Sequence, residues 1–356
     1  MYIKKLKIHD LRNITNTEFE FSKKINIFHG SNGSGKTSIL EAIYFLSSGK
    51  SFRKGNFKNL INFNASSCTV FLECFNTQIN DINSHTIAIN KKKNGQWKGQ
   101  HNGNKINSQS VITNLLPVVA IDPEVYRLVD FGPLYRRNFL DWLVFHVKHD
   151  YLLLWKKVNK CVKQLNTLYK NKAPSAEINL WEKTFINFSH ELNSIREHFF
   201  YKIKPNILKL SLHMQKEIND LNLEFKKGWS INLSLEQQLE EDRLNNLKYG
   251  QLQHGPHKMD IKIFTGKHPA SQTLSRGQKK ILSITFYMAY IDLLLNESTK
   301  KPILCLDDFD AEIDKKKLSK AALFFKEKDT QIFITSVQKK KISKVFPEAE
   351  LFHVEH

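Results

Sequence analysis

The chain has 356 residues, 41% hydrophobic and 25% charged, enough apolar side chains for one large core or two smaller ones, which excludes a disordered chain. Lys and Arg number 54 against 35 Asp and Glu, and the resulting charge of +19 selects polyanionic partners, nucleic acid ahead of an anionic membrane. Four scattered cysteines with no C-x-x-C pair exclude a zinc ribbon or a disulfide framework and fit a reducing, cytoplasmic setting, and no run approaches the 18 apolar residues of a membrane span.

Residues 1–8 alternate apolar and polar, as a half-buried strand does, with no small-residue cleavage site behind them. To about residue 90 the pattern is short strands broken by turns. One helix interrupts it after the glycine-rich stretch 30–35, where the apolar period changes from two to about 3.6. Lys91–Gln96 reads as a polar hairpin. Residues 134 to about 220 are helical in pattern, with a turn at Asn171–Ser175, and strand signals return from about 260. Strand-rich ends around a helical middle predict an α/β head built from residues 1–133 and 250–356, with a helical lobe inserted over 134–249. No internal repeat or long heptad run is present.

Gly30-Ser31-Asn32-Gly33-Ser34-Gly35-Lys36-Thr37 fits G-x-x-x-x-G-K-[ST], between the apolar run 25–28 and the helical pattern that starts at Ser38. Such a loop turns its backbone N–H groups toward the phosphates of ATP at a helix N-terminus, where the dipole adds positive potential. Lys36 then reaches the β and γ oxygens and Thr37 holds Mg²⁺. Pro302–Asp308 is an apolar strand ending in two carboxylates, Asp307 suited to Mg²⁺ through water and Asp308 to the attacking water.

Leu274-Ser275-Arg276-Gly277-Gln278 opens an amphipathic helix, and a Ser there is ordinarily an N-cap. The stretch resembles the L-S-G-G-Q signature of ABC-type ATPases, with Arg276 in place of the first glycine. That resemblance implies that Ser275, Gly277 and Gln278 of one copy meet the ATP held by the phosphate loop of another, in an ATP-dependent homodimer. Ala311–Asp314 is similar to the loop that communicates across such an interface. Two departures matter: Asp308 stands where many relatives carry Glu, and the strand 331–336 lacks the switch histidine of transporters.

Ser275 follows Lys36 by 239 residues, too many for a transporter domain and too few for a long coiled coil. Six further blocks, in order, resemble the RecF family of bacterial recombination and replication-repair proteins. They are Leu6–Asn13, Gly49–Arg53, Asp122–Val129, Gly132–Asp141, Gly255–Asp260 and Leu306–Asp314. The resemblance implies that Arg12, Asn13 and Ser38 join the ATP site. It also implies weak DNA-stimulated ATP hydrolysis that opens a dimer closed on double-stranded, gapped or single-stranded DNA, action with RecR and RecO in RecA loading, and a link to the SOS response. Arg136 and Arg137 read equally as helix charges or DNA contacts. His254 and His257 bracket a tight turn, His146 and His149 form a polar helix stripe, and the triplets Lys315–Lys317 and Lys339–Lys341 read as solvated faces. The competing readings are a P-loop phosphotransferase, which has no use for a signature helix, and a transporter-type ATPase subunit, which needs the histidine and a membrane partner.

Overall fold

Periodicity sets the element order, and the computed structural model describes residues 1–53, 55–76, 83–148 and 150–355. First come β1 (Tyr2–Leu11), β2 (Ile14–Glu20), β3 (Ile25–His29), α1 (Lys36–Ser48), β4 (Ser67–Asn76), β5 (Asn83–Lys92), β6 (Trp97–His101), β7 (Asn104–Ile106), α2 (Gln109–Leu115) and β8 (Val118–Ile121). The middle holds α3 (Arg127–Asp130), α4 (Pro133–Val147), α5 (Tyr151–Lys170), α6 (Ser175–Met214), β9 (Leu221–Lys226), α7 (Leu235–Tyr249), β10 (Asp260–Thr265), β11 (His268–Pro269), α8 (Ala270–Thr273) and α9 (Arg276–Glu297). β12 (Ile303–Leu306), α10 (Lys315–Lys326), β13 (Ile332–Ser336), α11 (Lys339–Val345) and β14 (Glu350–His353) follow. The chain divides into two compact units, Met1–Val125 with Leu294–His356, and Tyr126–Leu293.

In the first unit, β14-β3-β13-β12-β8 form a parallel sheet. Its inner strands are near-continuous apolar runs, as strands covered on both faces must be: Ile25–His29, Ile303–Leu306 and Ile332–Ser336 are buried throughout. β2-β1-β4-β5-β6-β7 make an antiparallel sheet, and β1 alternates buried and open positions. Helix α1 shares one core with both sheets: Ile39, Leu40, Ile43 and Leu46 pack with Leu6 and Ile8 and with Phe28 and Phe333. The expected hairpin at Lys91–Gln96 joins β5 to β6, with Lys91 opposite Trp97.

The second unit carries α3 to α8 and the greater part of α9, with the three-stranded sheet β11-β10-β9. α5 and α6 meet at the expected turn, and α5 buries Leu154, Val158, Cys161, Leu165 and Leu168 along one stripe. Strand β9 is absent from the sequence expectation although Leu221-Asn222-Leu223-Glu224-Phe225-Lys226 alternates strictly, because one six-residue alternation beside a long helical pattern reads with the helices. Its antiparallel partner is β10, so residues 260–265 lie with the helices and not with the head. The compact units therefore divide at residues 125/126 and 293/294, whereas the sequence placed the borders at 133/134 and 249/250.

Two buried ion pairs tie the motif blocks of this unit together. Arg136 grips Asp260 with Nε to Oδ1 at 2.7 Å and Nη2 to Oδ2 at 3.1 Å, and donates to the Leu128 and Phe131 carbonyls. Arg137 donates to the Met259 carbonyl at 2.7 Å. Arg196 binds both Asp141 oxygens, at 2.8 and 2.9 Å, and the Pro256 carbonyl at 2.7 Å. Arg136 and Arg137 are thus internal ties, engaged some 120 residues away by Asp260 at the start of β10 and by the Met259 carbonyl just before it.

His146 is not on a polar stripe. It is buried on α4, with Nδ1 2.8 Å from the Tyr290 hydroxyl, and burial pushes its pKa down to about 4. His149 lies outside the described residues. His257 does sit in the tight turn, with Nε2 3.2 Å from the Leu252 carbonyl, and burial lowers it to about 4 as well. Both rings stay neutral in the fold and charge near 6.5 when released, so stability falls as pH drops from about 6.5 to 4. The loss is up to about 3 kcal/mol for each. Urea midpoints at pH 7 and pH 4.5 should therefore differ less for His146→Gln/His257→Gln than for the parent, and an equal drop in both proteins refutes the assignment.

Candidate nucleotide-binding site

Strand β3 hands the chain to the phosphate loop, and backbone geometry dictates its glycines. Gly35 has φ 103° immediately before α1, a left-handed conformation that a side chain resists. A Cβ on Gly30 would lie 2.3 Å from the Val354 carbonyl oxygen, because the chain beyond β14 passes directly over it. Lys36 is buried and its Nζ donates to the carbonyls of Gly30 at 2.9 Å and Ser31 at 2.7 Å. Ser34 Oγ is buried with no hydrogen-bond partner among the described residues.

Parallel pairing aligns the ends of β3, β13 and β12, which brings three separate segments together. The Thr37 hydroxyl donates to Asp307 Oδ1 at 2.8 Å and the Thr335 hydroxyl donates to the same oxygen at 2.7 Å. Thr335 Oγ1 in turn accepts from the Asp308 N–H at 2.8 Å. Burial raises the Asp307 carboxyl to about 6, with the Asp308 charge adding to the rise and the two threonine hydroxyls opposing it. Asp308 is held at φ 42°, which turns the chain sharply after the acidic strand.

Arg12, Asn13, Asn32, Gly33, Gly35, Lys36, Thr37, Ser38 and Asp308 line one open cleft of about 790 Å³, within the ~300–1,000 Å³ range of small-molecule sites. The Asn13 amide donates to the Gly33 carbonyl at 3.2 Å, and its oxygen accepts from Ser38 Oγ at 3.0 Å, bracing the loop. Arg12 makes a two-pronged contact with Glu41 at 2.8 and 2.6 Å and donates to the Asn59 carbonyl at 2.6 Å. Ser51 also hydrogen-bonds Glu41.

Glu41, Thr335 and Phe63 were not singled out in the sequence, and Arg53 stood there only as the end of the family block Gly49–Arg53, with no role assigned. For Glu41 a signal existed: one carboxylate inside the apolar run 39–46 demands a buried partner, and Arg12 supplies it. Arg53 and Phe63 line the cleft from the loop after α1, where no periodicity points.

Ser275, Gly277 and Gln278 lie in the second unit. Ser275 is exposed and closes a capping box: its Oγ accepts from the Gln278 N–H at 3.3 Å and its N–H donates to Gln278 Oε1 at 2.9 Å. Arg276 sits 4.8 Å from the centre of the Tyr126 ring, and Lys279 pairs with Asp130. Asp314 caps α10 through the Lys317 N–H at 2.9 Å. Of the lysine triplets, Lys341 donates to the Asp310 carbonyl at 2.7 Å and Lys317 lies 3.8 Å from Asp314, while Lys315, Lys316, Lys339 and Lys340 are exposed.

Residues 2–356 match the family described as the RecF/RecN/SMC N terminal domain. The DNA replication and repair protein RecF of Francisella tularensis subsp. tularensis (strain WY96-3418) is 33% identical over 343 residues, 96% of this chain and 97% of its own. The solved structure of the recombination mediator protein RecF with ATP, in the RecFOR pathway, superposes with a TM-score of 0.88 at 25% identity, covering 99% of this chain and 95% of that one. An Smc head bound to the C-winged helix domain of ScpA has a TM-score of 0.57 at 17% identity, covering 96% of this chain and 92% of that one, a likeness of fold alone. Among the described residues no helix is long and apolar enough to cross a membrane. Matched from residue 2 to residue 356 and one-third identical to RecF proteins over nearly all of its length, the chain belongs to the RecF/RecN/SMC N-terminal domain family as a RecF-type member.

Proposed function

We propose that the chain is an ATP-dependent DNA clamp of replication and recombinational repair, acting on gapped DNA and assisting RecA loading with RecR and RecO. One observation carries the ATP reading: the Thr37 and Thr335 hydroxyls converge on a single oxygen of Asp307 beside the cleft that Lys36 and the phosphate loop line. The residues fit ATP with Mg²⁺. A hydroxyl and a carboxylate 2.8 Å apart are a hard-oxygen pair of the kind Mg²⁺ takes alongside waters and phosphates, and the orphaned Ser34 hydroxyl is a donor suited to a phosphate oxygen.

On this reading Thr37 and Asp307 hold Mg²⁺, which when bound neutralises charge on the phosphates. Lys36 leaves its two carbonyl partners to grip phosphate, and Asp308 orients the attacking water. Asp308 is one methylene shorter than Glu, so turnover is slow, and its stimulation by DNA is what the resemblance to RecF implies. The capping box uses the oxygen of Ser275 as acceptor, so its O–H remains a donor for the phosphate held by a second copy, as the signature requires. Dimer closure then depends on ATP, and hydrolysis reopens it. Neither a phosphotransferase nor a transporter subunit is favoured by the relatives found.

The charge of +19 makes phosphate-backbone contact the source of DNA affinity, with no demand for base readout. Binding to gapped duplex, intact duplex and single strands should therefore be compared with ATP, ADP and no nucleotide at two salt concentrations. The expected result is tight gapped-duplex binding with ATP alone, weakened by salt. Binding indifferent to nucleotide removes the clamp and leaves the ATP site standing.

A further inference from the structure

Phe63 is 93% exposed, the most exposed large hydrophobic side chain among the described residues, yet it stands on a turn built to hold it there. The Leu11–Ile61 bridge and the Asn62 N–H donating to the Asp10 carbonyl at 2.8 Å fasten the turn to β1. The Ala65 N–H closes it onto the Asn62 carbonyl at 3.1 Å. Lys93 reaches across from the β5–β6 hairpin, donates to the Phe63 carbonyl at 2.8 Å and lies 5.9 Å over the ring. The ring also lines the cleft that Lys36, Thr37 and Asn13 line.

We propose that Phe63 is the base platform of this site: its ring stacks on the purine of the nucleotide whose phosphates are held at Lys36 and Thr37. The inference rests on the ATP reading above and deepens it. Beside the donor-rich phosphate loop the same cleft is lined by Phe63, Asn59, Lys58 and Lys93, with Ile61 buried behind them. An exposed aromatic face is unfavourable in water and favourable against a base, because every base offers a π face and the contact needs no hydrogen-bond code. Lys93 covers one face of the ring, which leaves the other for the base.

Equilibrium binding of ATP and of inorganic tripolyphosphate, each with Mg²⁺, to the full chain tests this. Phe63→Ala should weaken ATP about 10-fold and leave tripolyphosphate unchanged, with unaltered thermal stability since the ring is exposed. Phe63→Trp should retain ATP affinity, and its added fluorescence should be quenched by ATP but not by tripolyphosphate. Full ATP affinity in Phe63→Ala, or equal loss of both ligands, overturns the platform and leaves the phosphate site intact. A parent chain that binds neither ligand overturns both readings.

Discussion

Lys36→Met is expected to abolish ATP binding, with a loss of at least ~100-fold measured by calorimetry. The ammonium is the cation of the loop, and each charge-assisted hydrogen bond to phosphate contributes about 1.5–3 kcal/mol. Methionine keeps the apolar stem as far as Cε but has no donor. It also leaves the Gly30 and Ser31 carbonyls without the partner they now have, so the loop should loosen even without ligand. A Lys36→Arg variant separates the effects: it restores charge but not the compact shape, and a planar guanidinium does not fit a buried position that accepts an ammonium. ATP affinity in Lys36→Met within tenfold of the parent refutes the role assigned to this loop.

The second large effect is on assembly. Ser275→Arg should leave ATP binding near the parent value and remove ATP-dependent dimerisation in sedimentation runs, if, as proposed above, the residue completes a phosphate site only in a second copy. The capping box complicates the variant, since losing the cap alone destabilises a helix by about 1 kcal/mol. Ser275→Asp resolves this. Aspartate caps as well as serine but brings a negative charge toward the γ-phosphate, so it should block dimerisation with the helix intact. Ser275→Ala, which loses the cap and adds no charge or bulk, should weaken dimerisation less than either. Dimers of Ser275→Arg or Ser275→Asp at parental ATP concentrations sink the shared-site arrangement.

The parts legible in the sequence are those whose chemistry is local. Eight consecutive residues make the phosphate loop, and seven make the acidic strand, so order and flanks sufficed to find them. Pairings across long separations left no local trace. Arg136 and Asp260 lie 124 residues apart, and nothing in the helical pattern around Arg136 says that its charge points inward. Ser275 illustrates an intermediate case: the ordinary N-cap and the signature serine are the same atom, used as acceptor in the cap and available as donor beyond it. Phe63 stayed hidden for the opposite reason, since a lone aromatic in a polar turn shows its neighbours only once β1 and the hairpin have folded around it.

The position of β3 in its sheet bears on how the protein is made. Residues 25–29 leave the ribosome before either of their neighbouring strands, 332–336 and 350–353, has been made. Until they are, this apolar strand has two unpaired edges, and the loop that follows it lacks the Val354 segment that closes over Gly30. Nucleotide therefore cannot template the early stages of folding. The antiparallel sheet and α1, which share a core with Phe28, are what the structure offers to shield β3 in the interval, and the phosphate loop is closed over only once residue 354 is in place.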